Sequence, residues 1–248
     1  MLKTLQKNYI LFLQEGLGLF IFMLSACFFD GFLEHKTTFI HLQITNPHYR
    51  LAIMAIAMGF TALFIFLSPL TAPSGAFINP SVSIMRWRLG QLSLENTIWY
   101  SVFQTIGGLL AVYLMAILMG NILTTPPVNY AVTIPGKNIK IWEAMLSETF
   151  SAFFMITMVL FFSDVEKLKK SVPYVAALLV GIYVYVTGPI SGFGMNPART
   201  LASAIPAGIY SEFWIYMLCP TLGMLLAAEL YLNVKNKKPE VDWKLDGE

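Results

Sequence analysis

The sequence predicts an all-α integral membrane protein: six transmembrane helices plus two re-entrant half-helices, arranged as an inverted 3+3 repeat. Three observations carry this prediction. Of 248 residues, 56% are hydrophobic and 12% charged, against about 25% charged in a soluble domain. Charge-free apolar runs fall near 16–29, 51–68, 98–123, 149–162, 174–190 and 213–228, and one crossing needs about 20 mostly apolar residues. No stretch alternates in the manner of a lipid-facing barrel strand, so the spans are helical. The third observation is a pair of segments, Asn79-Pro80-Ser81 and Asn196-Pro197-Ala198, each ending a loop inside apolar sequence.

The first span follows Lys3 and Lys7 and contains Glu15. Its Leu24-Ser25-Ala26-Cys27 resembles a lipoprotein signal, but Gln14 and Glu15 interrupt the apolar region such signals need. Cys27 and Cys219 lie in apolar runs and read as small core residues, not as a disulfide framework. His35, His41 and His48 fall in the first outer loop and read as solvated side chains rather than metal ligands. The second span carries Met58 and Gly59. Beyond it, proline suits the first position of a helix and asparagine caps the exposed N–H groups, so half-helices are expected at about 80–89 and 197–206. With both starts inside the membrane, two positive dipole ends and two amides converge beside one pore, at a point where water fits and cations do not. Gln104, Gly107 and Gly108 mark the third span and Glu148 the fourth. Gly181 and Val184 mark the fifth, Pro220 and Gly223 the sixth. The glycines permit close helix crossings, and Trp99, Trp142 and Trp214 read as interface anchors.

An internal repeat organises these elements. Glu15, Asn79, Gln104 and Gly107 recur in order as Glu148, Asn196, Pro220 and Gly223, with 28 residues from Asn79 to Gly107 and 27 from Asn196 to Gly223. The first repeat is expected over 8–121 and the second over 141–234, within a single channel domain 1–248 whose mixed-charge end, 235–248, is a cytoplasmic tail. Three crossings per half require the second half to be inverted. Of the 16 Lys and Arg residues, five (Lys36, Arg50, Lys137, Lys140 and Arg199) fall opposite the termini and eleven on their side. That bias places both termini in the cytoplasm.

The segments from Ser74 to Val82, Ser-Gly-Ala-Phe-Ile-Asn-Pro-Ser-Val, and from Gly188 to Arg199, Gly-Pro-Ile-Ser-Gly-Phe-Gly-Met-Asn-Pro-Ala-Arg, resemble the two signatures of the aquaporins, or major intrinsic proteins. The resemblance covers about residues 8–234. It implies a passive channel for water, and for small uncharged solutes beside it, that excludes protons and ions. In the general account of aquaporin-type selectivity, pore diameter, lining donors and half-helix dipoles do this work. The resemblance further implies a plasma-membrane homotetramer in the lipid bilayer. Asn79 and Asn196 are expected at the pore midplane, with Pro80, Ser81, Pro197 and Ala198 as the half-helix motifs. Met58, Val184, Phe193 and Arg199 are expected to form the selectivity filter. Glu15 and Glu148 become structural braces for the loops, and Gln104 a polar strut.

Several positions depart from the family's usual pattern. Ser81 replaces alanine, and Phe77 stands where many water-selective members carry histidine. Val184 and Phe193 suit a wider, apolar ring of the glycerol-conducting kind, whereas Thr200, the short link through Tyr210, and Tyr216 follow the water type. Water is the expected principal substrate, with a glycerol facilitator as the alternative. A coupled secondary transporter would need ion-binding carboxylates beyond the two braces. The sequence offers no nucleophile–base pair, metal cluster or phosphate loop in an apolar run, so neither enzyme activity, a metal nor a cofactor is expected. Nor is there a basic patch with interleaved aromatics for nucleic acid.

Overall fold

In the computed structural model, which describes residues 1–236, the long elements are eight helices and the described residues contain no strand. In chain order these are α1 (Leu2–Glu34), α2 (Pro47–Leu67), α3 (Pro80–Arg88), α4 (Leu94–Met119), α5 (Ile141–Asp164), α6 (Val172–Ser191), α7 (Pro197–Ala207) and α8 (Phe213–Val234). Six of them, all but α3 and α7, are long and apolar enough to cross a membrane. Each is built on one of the six charge-free runs; α4 stops at Met119, before its run ends, at the Gly120 cap, while Pro189 and Pro220 are accommodated inside α6 and α8. Asn46 caps α2 by accepting from the His48 N–H, with Pro47 at its first position, and Ser93 caps α4 by accepting from the Asn96 N–H. Within the expected tail at 235–248, residues 237–248 lie outside the described residues; Lys235 pairs with Asp164 at 3.2 Å.

Packing follows the repeat. The contacting pairs are α1–α4 and α5–α8, α1–α2 and α5–α6, α4–α7 and α8–α3, α3–α4 and α7–α8, with α2–α6 and α3–α7 joining the halves. Exchanging α1–α4 for α5–α8 maps this set onto itself, as a pseudo-twofold axis through α2–α6 and α3–α7 requires. Between helices in lipid, association depends on close van der Waals approach, which small residues allow. Gly16 and Gly107 supply it for α1–α4: a Cβ on Gly107 would collide with the Gly16 carbonyl. Gly223 presses on the Thr149 carbonyl at the repeat-equivalent crossing, and Gly59 meets Ala177 and Gly181 across α2–α6.

Candidate functional site

The half-helices α3 and α7 meet at their amino ends. Asn79 caps α3 by accepting from the Ser81 N–H at 2.9 Å, and Asn196 caps α7 by accepting from Ala198 and Arg199 at 3.0 and 3.2 Å. Their amide nitrogens cross over. Asn79 Nδ2 donates to the Met195 carbonyl at 2.8 Å, and Asn196 Nδ2 donates to the Ile78 carbonyl at 2.7 Å. An amide nitrogen carries two hydrogens, so each asparagine retains one N–H. Both residues are 8% exposed, enough to touch an enclosed space.

The loops leading to these caps are strained alike. Gly75, Ala76 and Ile78 have positive φ before Asn79, and Gly192, Phe193 and Met195 do before Asn196. A non-glycine residue in the left-handed region costs about 1–3 kcal/mol and persists only where its surroundings hold it. The two glutamates hold it. Glu15 Oε1 accepts from Ser74 Oγ and the Phe77 N–H at 2.8 and 2.9 Å, and Oε2 from the Ile78 N–H and Gln104 Nε2 at 2.6 and 2.7 Å. Glu148 Oε1 accepts from Ser191 Oγ and the Gly194 N–H at 2.6 and 2.8 Å, and Oε2 from the Met195 N–H at 2.5 Å. Gln104 has no polar counterpart in the second half, where Pro220 stands.

Ser81 turns its hydroxyl away from the cap. Its Oγ lies 2.7 Å from Thr221 Oγ1 on α8, so serine in place of alanine adds a tie between half-helix and bundle without disturbing the Asn79 cap. Pro80, Pro197 and Ala198 begin the half-helices just inside the asparagine caps and are buried. Met58 and Val184 belong to one buried cluster with Met195, and Phe193 packs against it. Arg199 is buried, and its Nη1 donates to Thr133 Oγ1 on the segment between α4 and α5.

Two cavities lie near these residues. One of about 230 Å³ includes Asn79, Asn196 and Phe193 and runs through Val180 and Met155 to Phe77 and Arg86, on the side of the chain termini. Another of about 270 Å³ opens on the opposite side, beside Asp30, Leu51, Met54 and Gly188, one turn of α6 beyond Val184. A groove of about 510 Å³ between α2 and α6, lined by Ile56, Phe60, Leu178 and Ile182 among others, holds none of these residues.

Sequence reasoning missed four supports. Tyr100 Oη donates to the Ser74 carbonyl and Tyr216 Oη to the Ser191 carbonyl, at 2.9 and 2.6 Å, and Ser74 and Ser191 themselves donate to the glutamates. Tyr216 follows the water-type pattern in sequence, but its hydroxyl is occupied in bracing the second loop. The signal was available: Ser74 and Ser191 stand at equal distances before the two asparagines. Thr133 gave none, since its contact with Arg199 depends on how the long α4–α5 segment folds back.

A six-helix bundle in which two capped half-helices meet amino end to amino end defines a polytopic membrane protein with re-entrant loops. The family model for major intrinsic proteins matches residues 4–231. Similar proteins include Aquaporin NIP1-1 of Arabidopsis thaliana, 28% identical over 230 residues, covering 89% of this chain and 72% of that protein. The probable aquaporin TIP3-2 of the same plant is 30% identical over 191 residues, covering 75% and 68%. Among solved structures, the aquaglyceroporin from Plasmodium falciparum superposes with a TM-score of 0.76 at 21% identity, covering 92% of this chain and 97% of that one. The chain belongs to the major intrinsic protein family, whose members are passive membrane channels and not enzymes.

Proposed function

We propose that the protein is a water channel of the plasma membrane that also passes small uncharged solutes and rejects protons and ions. The observation that carries this reading is the reciprocal donation by Asn79 and Asn196, each to the carbonyl of the residue preceding the other, which leaves one amide N–H on each. A water molecule accepting from both turns its oxygen to the pair and its hydrogens up and down the file. Proton hopping through that point is broken, and the two positive helix ends repel cations. Arg199, with Met58, Val184 and Phe193, forms the filter on the side away from the termini. An arginine in a membrane segment is tolerated where it faces water or a partner, and Thr133 is its partner here.

Glycerol as principal solute is a second reading, favoured by the apolar Val184 and Phe193. Water is preferred because Thr200 follows Arg199 and only residues 208–212 separate α7 from α8, both features of the water type. The same reading takes 8–121 and 141–234 as the repeats of one channel domain. It places both termini in the cytoplasm on the eleven-to-five basic bias, and assembles four copies with the apolar α2–α6 face turned toward its neighbours. Stopped-flow shrinkage of proteoliposomes under impermeant and glycerol gradients tests it. Water flux should scale linearly with the osmotic gradient, ignore ionophores and exceed glycerol flux; dependence on a proton or sodium gradient would end the channel reading.

A further inference from the structure

Arg86 is the one arginine lining the cavity that contains both asparagines. It stands seven positions after Asn79, on the last turn of α3, which puts it about 10 Å of helix away from the asparagine pair. Arg199 stands three positions after Asn196, on the half-helix that runs the other way. The two charges therefore bracket the pair. The Arg86 guanidinium carbon lies 5.3 Å from the centroid of the Phe77 ring, a cation–π arrangement, and Nη1 donates to Gln91 Oε1 at 2.5 Å. Its Nε is buried with no protein partner. Arg88, two residues on, shows what an arginine does when it merely marks the membrane face: it is 38% exposed and pairs with Glu229 at 2.6 Å. Arg86 does neither, and the ring it covers is that of Phe77, the residue immediately beyond the Gly75–Ala76 bend of the first loop.

We propose that Arg86, held over Phe77, is a specificity-determining residue: a second cationic barrier at the termini-side mouth of the pore, in series with Arg199. The proposal rests on the channel reading above. A unit positive charge passing about 5 Å from a guanidinium at an effective dielectric near 20 is slowed roughly three-hundredfold. Two such barriers more than a Debye length of about 8 Å apart act separately, so either one alone still rejects cations. A neutral solute meets only the narrowing.

The test is potassium leak, measured with water flux in the same proteoliposomes, for wild type, R199V, R86Q, R86Q/R199V and R86K/R199V. Each single variant should leak within about threefold of wild type, the R86Q/R199V double at least tenfold more than either, and R86K/R199V as little as R199V. A double no leakier than R199V overturns the proposal, as does a lysine that fails to restore exclusion. Failure of the channel reading shows differently, as wild-type vesicles that shrink no faster than protein-free ones. Should the doubles misfold, R86C carries the test alone. Cys27 and Cys219 are buried, so a charged methanethiosulfonate added on the side of the termini should block most of the R86C water flux and leave wild type unaffected. Unblocked flux removes Arg86 from the pore.

Discussion

Replacing Glu15 probes the strained first loop, and the cost can be worked from its hydrogen bonds. Both carboxylate oxygens accept twice, from Ser74 and Phe77 on one and from Ile78 and Gln104 on the other. Glu15→Gln makes one of the two a donor. With the new NH2 at the Oε2 position it confronts the Ile78 N–H and the Gln104 amide; flipped, it confronts the Phe77 N–H while the Ser74 hydroxyl rotates to accept. A buried donor left without an acceptor costs about 1–3 kcal/mol. The flipped form therefore costs at least about 1–3 kcal/mol, and release of the left-handed Ile78 lets the loop relax away from the geometry that presents its carbonyl to Asn196. Glu15→Ala strands the Phe77 and Ile78 N–H groups, while Ser74 keeps the Thr71 carbonyl and Gln104 the Ser83 hydroxyl as acceptors, and should cost roughly twice as much. At about 2–4 °C per kcal/mol for a chain of this size, E15Q should lower the melting temperature in detergent, followed by tryptophan fluorescence, by roughly 2–12 °C, and E15A by more. Water flux should fall in the same order. An E15Q protein that melts within a degree of wild type refutes the claim that the carboxylate holds the loop.

Other outcomes follow from the same geometry. Val184→His should narrow the ring and cut glycerol flux several-fold more than water flux; equal cuts would remove Val184 from the filter. Tyr100→Phe and Tyr216→Phe each delete one hydroxyl-to-carbonyl bond and should each cost about 0.5–1.5 kcal/mol, with closely matched melting shifts if the two loops are equivalent supports. Ser81→Ala leaves Thr221 donating to the Met217 carbonyl and should change stability by less than about 1 kcal/mol with water flux intact, so a collapse of flux would implicate the hydroxyl in conduction. Gly107→Ala, whose methyl would strike the Gly16 carbonyl, should destabilise by about 1–3 kcal/mol. Gly59→Ala, with 3.3 Å to its nearest atom, should cost less; the reverse ranking would mean that the α1–α4 crossing is not the tighter one.

Much of this was legible because the determinants are local. The apolar runs fix helix existence through the cost of unsatisfied backbone in lipid, and Asn-Pro fixes a helix start through cap chemistry. The spacing from Asn79 to Gly107 and from Asn196 to Gly223 encodes the inverted pairing that α1–α4 and α5–α8 display. The residues alone required only that each buried carboxylate have a partner and left a proton relay open; the family resemblance is what implied braces. What stayed hidden depends on chain segments meeting at a distance. The Ser81 hydroxyl finds Thr221, Arg199 finds Thr133, and each asparagine finds the carbonyl of the opposite loop. The amide-to-carbonyl exchange changes the chemistry at the site, since each amide has one hydrogen for a solute where the sequence alone suggested a free amide.

The pseudo-symmetry also indicates where function departs from scaffold. Glutamate, serine, tyrosine, asparagine and glycine recur at matched places in both halves, and each makes the same contact twice: loop N–H groups, loop carbonyl, cap, crossing. Some residues that break the match, Val82 and Arg86 among them, line the cavity beside the asparagines. Val82 corresponds to Arg199 and Arg86 to Ser203, so each half-helix carries its arginine at a different turn. Strict repetition would put both charges three residues from the caps, close together around the asparagines, where their mutual repulsion and their field on the amides would add. On the proposal that both arginines repel cations, displacing one by a full turn would keep a barrier on either side and leave the asparagine pair to neutral donors. The folding constraints are thus shared between the halves, and the electrostatic ones are divided between them.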